Sequence, residues 1–164
     1  MILKRAFEPV ADANTRLLIL GSLPGDASLK AAQYYAHPRN GFWRLTGAVI
    51  GVDLATLAYA ERLEALRAAQ VGLWDVIASA ERPGSLDAAL RHAAAADLGP
   101  LVESLPALRA VAFNGGTAAR IGRRSLDGAT VDLIDLPSSS PAHTMAFEAK
   151  LAAWRPLSQF LITD

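Results

Sequence analysis

The 164-residue chain contains no cysteine. That absence excludes a disulfide framework, a thiolate nucleophile, a cysteine-ligated iron–sulfur cluster and a Cys-rich zinc site. Net charge is missing too: 16 Lys and Arg balance 16 Asp and Glu, so only a local patch can attract a polyanion. Aromatic residues are scarce, at 7% of the chain, which makes any cluster of them informative. Long apolar runs are also lacking. Arg16, Arg44, Asp53 and Asp75 interrupt each hydrophobic stretch before the roughly 18 residues that a membrane-spanning helix needs. The amino terminus, Met-Ile-Leu-Lys-Arg-Ala-Phe-Glu-Pro, lacks the charged, apolar, small order of a secretory signal, so the expectation is a cytoplasmic protein with no membrane partner. What remains is an ordinary globular composition. With 52% hydrophobic residues, the chain can bury one core, and a single domain over 1–164 is expected. No unassigned apolar stripe suggests an interface, so a monomer is expected.

Short aliphatic runs at Leu17–Leu20 and Ala110–Phe113 read as buried strands, because each is continuously apolar and each meets glycine or Asn-Gly punctuation. Val131–Leu136 alternates around two aspartates, and a fourth strand starts near Val71–Trp74. Helical spacing is found over Phe42–Ile50 and Leu54–Ala69. Ser85 reads as an N-cap, Pro100–Leu105 as a short helix, and Ala142 to the residue before Pro156 as the last helix. Strands that alternate with helices imply crossover connections. The expected fold is α/β, a three-layer α/β/α sandwich with a mainly parallel four-stranded central sheet.

Ligands of such sheets bind beyond the carboxyl ends of the strands, and the unusual residues fall there. One strand runs into Gly21-Ser22-Leu23-Pro24-Gly25, another into Asn114-Gly115-Gly116, a third into Pro137-Ser138-Ser139-Ser140-Pro141-Ala142-His143. These loops should converge on one cleft. The first lacks the patterns of a dinucleotide fold or a P-loop and is equally an ordinary strand-exit turn. Asn114 offers a donor and an acceptor together, which suits an amide-like base edge, although Asn-Gly is also a turn former. The serines offer hydroxyls and amides to an anion near a helix start.

The segment Tyr34-Tyr35-Ala36-His37-Pro38-Arg39-Asn40-Gly41-Phe42-Trp43 packs four aromatics into ten residues. A tyrosine here can stack on a planar heterocycle, while Phe42 and Trp43 are expected in the core. His37 is balanced between a backbone contact and a functional role. Asn40 cannot be a nucleophile, but its carbonyl can orient a water and face a developing cation. Lys30, Arg39, Arg44, Arg120, Arg123 and Arg124 form a candidate basic rim. Asp135, Ser138–Ser140 and His143 raise a serine hydrolase, which the lack of a G-x-S-x-G elbow disfavours. His92, Asp53 and Asp75 lack metal-ligand spacing, so no metal is expected.

In their order, Leu20-Gly21-Ser22-Leu23-Pro24-Gly25, Tyr35-Ala36-His37-Pro38-Arg39-Asn40-Gly41-Phe42-Trp43, Phe113-Asn114-Gly115 and Leu136-Pro137-Ser138-Ser139-Ser140-Pro141-Ala142 resemble the uracil-DNA glycosylase superfamily. The similarity is greatest to the hypoxanthine-DNA (deoxyinosine) glycosylase branch. The resemblance spans about residues 15–160 and implies a monofunctional, cofactor-free enzyme acting on bases flipped out of DNA, with deaminated DNA as partner. It implies Asn40 as the catalytic amide and Tyr35 as the aromatic under the flipped base. Asn114 would read the base edge, and Ser138, Ser139, Ser140 and His143 would grip DNA. The residues themselves add that backbone amides near Ser22 and Gly25 are expected to bind the base by receiving charge as it departs. Leu23 and Leu136 depart from other branches, which carry a water-activating Asp or Asn and a histidine at those places. The alternative from the residues alone is a noncatalytic nucleotide- or phosphate-binding module.

Overall fold

The computed structural model describes residues 3–81 and 91–161. In chain order the elements are β1 (Leu3–Arg5), β2 (Leu17–Gly21), α1 (Asp26–Ala31), α2 (Phe42–Ile50), a 3-10 turn (Leu54–Thr56), α3 (Tyr59–Ala68), β3 (Val71–Asp75), β4 (Ile77–Glu81) and β5 (Arg91–Ala95). There follow α4 (Leu98–Glu103), β6 (Ala110–Asn114), α5 (Gly116–Ser125), β7 (Asp132–Leu136), α6 (Phe147–Trp154) and a second 3-10 segment (Arg155–Phe160).

The expected four-stranded sheet is present and all parallel, in the order β3-β2-β6-β7. Strands β2 and β6 are buried along their whole length, as a central strand covered on both faces must be. Their alternate residues feed two separate cores. Leu17, Ile19, Ala110 and Ala112 pack with Phe42, Leu45, Leu66 and Trp154 from α2, α3 and α6. Leu18, Leu20, Val111 and Phe113 pack with Leu98 and Ala118 from α4 and α5. On that second side Gly122 lies so close to the sheet that a Cβ would stand 2.8 Å from Phe113 Cδ1 and 3.1 Å from Val76 Cγ1. Gly122→Ala should therefore lower stability by about 1–3 kcal/mol through overpacking. Urea unfolding of the variant measures this, and an unchanged midpoint would mean that α5 can lift off β6 without cost.

Three expectations are corrected. The stretch Leu54–Ala69 is not one helix, because Leu57 and Ala58 are extended. Arg62 donates to the carbonyls of Leu54 and Leu57, and Glu61 accepts the Ala58 N–H, so side chains satisfy the break. The last helix begins at Phe147, not near Ala142. Ser138 Oγ accepts the Ser140 N–H and Ser140 Oγ accepts the Ala142 N–H, local bonds that compete with helix formation. The serines thus stand apart from the helix terminus that was expected to favour an anion. A small antiparallel sheet, β1-β4-β5, was not foreseen either, since Ala-rich β4 and β5 have little intrinsic strand preference and form by pairing. The short helix at Pro100 is α4, shifted two residues earlier, and the Ser85 N-cap lies outside the described residues. No helix among the described residues is long and apolar enough to cross a membrane.

Candidate active site

The register pairs Gly21 with Asp75 and Asn114 with Leu136, so all four parallel strands end at one edge. Beyond it opens a cleft of about 590 Å³ lined by Gly21–Gly25, Tyr34, Tyr35, His37, Arg39, Asn40, Asp75, Asn114 and Ser138–His143. Its size is in the range of small-molecule sites. Every candidate catalytic, base-binding and DNA-binding residue, namely Asn40, Ser22, Gly25, Tyr35, Asn114, Ser138, Ser139, Ser140 and His143, lines it.

Tyr35 is half-buried and adopts the left-handed region at φ 54°, which costs a non-glycine residue of order 1–3 kcal/mol and persists only where surroundings enforce it. The enforcement is visible. Its ring stacks on Phe42 with centroids 3.8 Å apart, and its carbonyl accepts the Trp43 indole N–H at 3.2 Å. Phe42 and Trp43 themselves are buried in the core, as expected. Tyr34 is buried beneath, donating its hydroxyl to the Glu8 carbonyl at 2.9 Å. Burial first, and then the nearby Asp75 charge, push its pKa far up, so it stays protonated.

Asn40 sits just ahead of α2, and its Oδ1 accepts the Phe42 N–H at 2.9 Å. One lone pair of that oxygen remains for a water. His37 Nδ1 accepts the Arg39 N–H at 3.1 Å, which is the backbone role. Asn114 is saturated more heavily. Its Oδ1 accepts the Ser139 N–H at 2.9 Å, while Nδ2 donates to Ser139 Oγ at 2.9 Å and Tyr35 Oη at 3.3 Å. Ser139 is 2% exposed, so it serves as a rivet joining the β6 and β7 loops. Gly115, at φ 102°, allows this approach, since a Cβ there would lie 3.1 Å from Ser138 Cβ.

Three donors pin the carbonyls of the serine loop. Trp154 Nε1 holds Pro137, the Gly41 N–H holds Ser139 and Lys150 Nζ holds Ser140. Burial pushes the Lys150 pKa below its ordinary 10.5. Between the lowered value and 10.5 the unfolded chain binds more protons, so stability rises with pH in that window, and the cost of the buried charge is full below it. The stability of wild type relative to Lys150→Met should therefore increase as pH approaches 10.5, read by urea unfolding across pH. A pH-independent difference would contradict this.

Other candidates disperse. Asp135 pairs with Arg123 at 2.9 Å and does not line the cleft, so no serine triad forms. Arg44 lies over the Phe147 ring, and of the basic rim only Arg39 reaches the cleft. Gly25 has φ −76°, an ordinary value, whereas Gly21 is required by the atoms crowding over it. Asp75, considered from sequence only as a metal ligand, is a buried carboxylate in the cleft. Its place at the end of a strand was the available signal.

The comparisons agree with this geometry. The model of the Uracil DNA glycosylase superfamily matches residues 8–158. A hypoxanthine DNA glycosylase of Methanosarcina barkeri is 40% identical over 153 residues, covering 92% of this chain and 95% of that protein. A protein of the same name in Methanosarcina acetivorans is 40% identical, with coverage of 93% and 96%. A solution NMR structure from M. acetivorans, provisionally assigned as a uracil DNA glycosylase, superposes with a TM-score of 0.87 at 39% identity over 96% of this chain and 98% of that one. With the parallel sheet, the strand-end cleft and nearly full-length similarity in agreement, the chain belongs to the uracil DNA glycosylase superfamily.

Proposed function

We propose that this protein is a monofunctional DNA glycosylase that hydrolyses the N-glycosidic bond of deaminated bases flipped out of DNA, hypoxanthine first, with uracil and xanthine as further substrates. The observation that carries the reading is the meeting of Tyr35, Asn40 and Asn114 on one open cleft. The names of the relatives support the choice of base. Base extrusion is a property of glycosylases in general.

Bond cleavage separates a sugar of oxocarbenium character from an anionic base, so opposite charges must be stabilised within a few ångströms. One face of Tyr35 rests on Phe42, which leaves the other for the base. Asn114 reads the base edge. Asn40 Oδ1 holds a water by one of its protons and aims its oxygen at the sugar carbon C1′. The C1′–N bond breaks with its electron pair leaving on the base, the water oxygen bonds to C1′, and the water proton passes to solvent or base. Backbone amides near Ser22 and Gly25 face the departing anion, and the loop that carries half-buried Ser140 and exposed His143 faces the DNA backbone. No cofactor is required by this chemistry.

Incubation with duplexes containing hypoxanthine, uracil or xanthine, followed by alkali, should reveal abasic sites and no strand break before alkali. Stabilisation by free nucleotides without abasic product would instead favour a binding module.

A further inference from the structure

We propose that Lys150 is a positioning residue for DNA, whose ammonium anchors the loop Ser140–Ala146 from beneath and so presents it to the duplex already shaped; this rests on the glycosylase reading above. Lys150 is 6% exposed and reaches both ends of that loop. Its Nζ donates to the Ser140 carbonyl at 3.1 Å, and its backbone N–H donates to the Ala146 carbonyl at 3.1 Å as α6 begins. Ser140, Pro141, Ala142 and His143 line the mouth of the cleft, so the same residue fastens a stretch that an extruded nucleotide must pass.

Little else holds the loop. Every residue from Pro141 to Ala146 is exposed. The Ala142 N–H donates to Ser140 Oγ and the His143 N–H to the Ser140 carbonyl, bonds that shape a turn without fixing it to the protein. Before α6 begins, the Lys150 ammonium makes the loop's one hydrogen bond with another secondary-structure element among the described residues. The Ser140 carbonyl would keep the His143 N–H if Lys150 were replaced. The turn would survive, and its anchorage would be lost.

That anchorage places a charge where burial disfavours it, and no carboxylate pairs with it among the described residues. An apolar side chain of similar volume would avoid the cost. The gain is in binding. A loose loop has to be ordered by the duplex, which lowers affinity, whereas an anchored loop has been ordered by folding. Residues 137–146 contain no Lys, Arg, Asp or Glu, so the loop itself has no ion pair with which to be held in shape. The catalytic groups do not depend on this tie. Asn40 accepts the Phe42 N–H, Tyr35 rests on Phe42, and Asn114 accepts from Ser139, whose carbonyl is held by the Gly41 N–H. Loss of Lys150 should therefore weaken binding and leave the bound complex to react at its normal rate.

The test combines two measurements on the full chain. Fluorescence anisotropy follows binding of a labelled duplex with one hypoxanthine in an Asn40→Ala background, which preserves the substrate, and single-turnover release at saturating protein follows the reaction with Asn40 present. Lys150→Met should raise the dissociation constant by about tenfold and keep the saturated rate within about twofold. If Lys150→Met does not fold, Lys150→Leu removes the same donor with a shorter side chain and should give the same split. A residue of purely structural importance would shift the urea midpoint and move neither readout. An unchanged dissociation constant, or a saturated rate that falls as far as the affinity, overturns the proposal. Wild-type protein that binds the duplex and releases no hypoxanthine would overturn the glycosylase reading instead, while anisotropy would still decide the part played by Lys150.

Discussion

Asn40→Ala should slow single-turnover release of hypoxanthine by about a hundred- to a thousand-fold while leaving duplex binding intact. The expectation follows from what the side chain can and cannot do. An amide takes no proton at neutral pH, so the contribution proposed for it is to hold the water and to face positive charge as the sugar approaches its oxocarbenium form. Both effects act in the transition state and neither in binding, which separates rate from affinity. Asn40 also accepts the Phe42 N–H, and losing such a hydrogen bond costs about 1 kcal/mol of stability. Asn40→Asp should preserve both roles, since its carboxylate still accepts from Phe42 and from a water. It should keep wild-type stability and lose far less rate. An Asn40→Ala protein with the wild-type single-turnover rate would remove this residue from the mechanism.

Asn114→Ala should act on stability and catalysis together. It orphans the N–H of buried Ser139 and removes a donor from Tyr35, which costs about 1–3 kcal/mol in unfolding. Loss of the contact with the base edge should slow hypoxanthine release by a further factor of about ten to a hundred. Because the loops after β6 and β7 are joined through this one amide, the serine loop should also loosen. Urea unfolding and single-turnover rates, measured on the same preparation, would show both losses. A full-rate variant with lowered stability would reduce Asn114 to a structural rivet.

The parallel sheet was legible because continuously apolar strands such as Leu17–Leu20 and Ala110–Phe113 have only one environment available to them, a sheet covered on both faces. Their loops then had to fall at one edge, and Asn40, Tyr35 and Asn114 follow from that topology. Elements held by pairing were not legible. In β4 and β5, alanines carry no strand preference, and only the partner strands β1 and β4 define them. The late start of α6 depended on Ser138 and Ser140 hydroxyls choosing local backbone donors, a competition that composition does not resolve. Asp75 was passed over because a single aspartate at a strand end has no pattern of its own. Its place in the cleft emerges only when Gly21 and Tyr35 are seen to crowd the same point.

The most direct measurement is a crystal structure of the Asn40→Ala protein bound to a duplex with one hypoxanthine. The extruded base should lie against the free face of Tyr35 with its lactam N–H on Asn114 Oδ1. A base still stacked in the helix, or lodged away from Tyr35 and Asn114, would contradict the account.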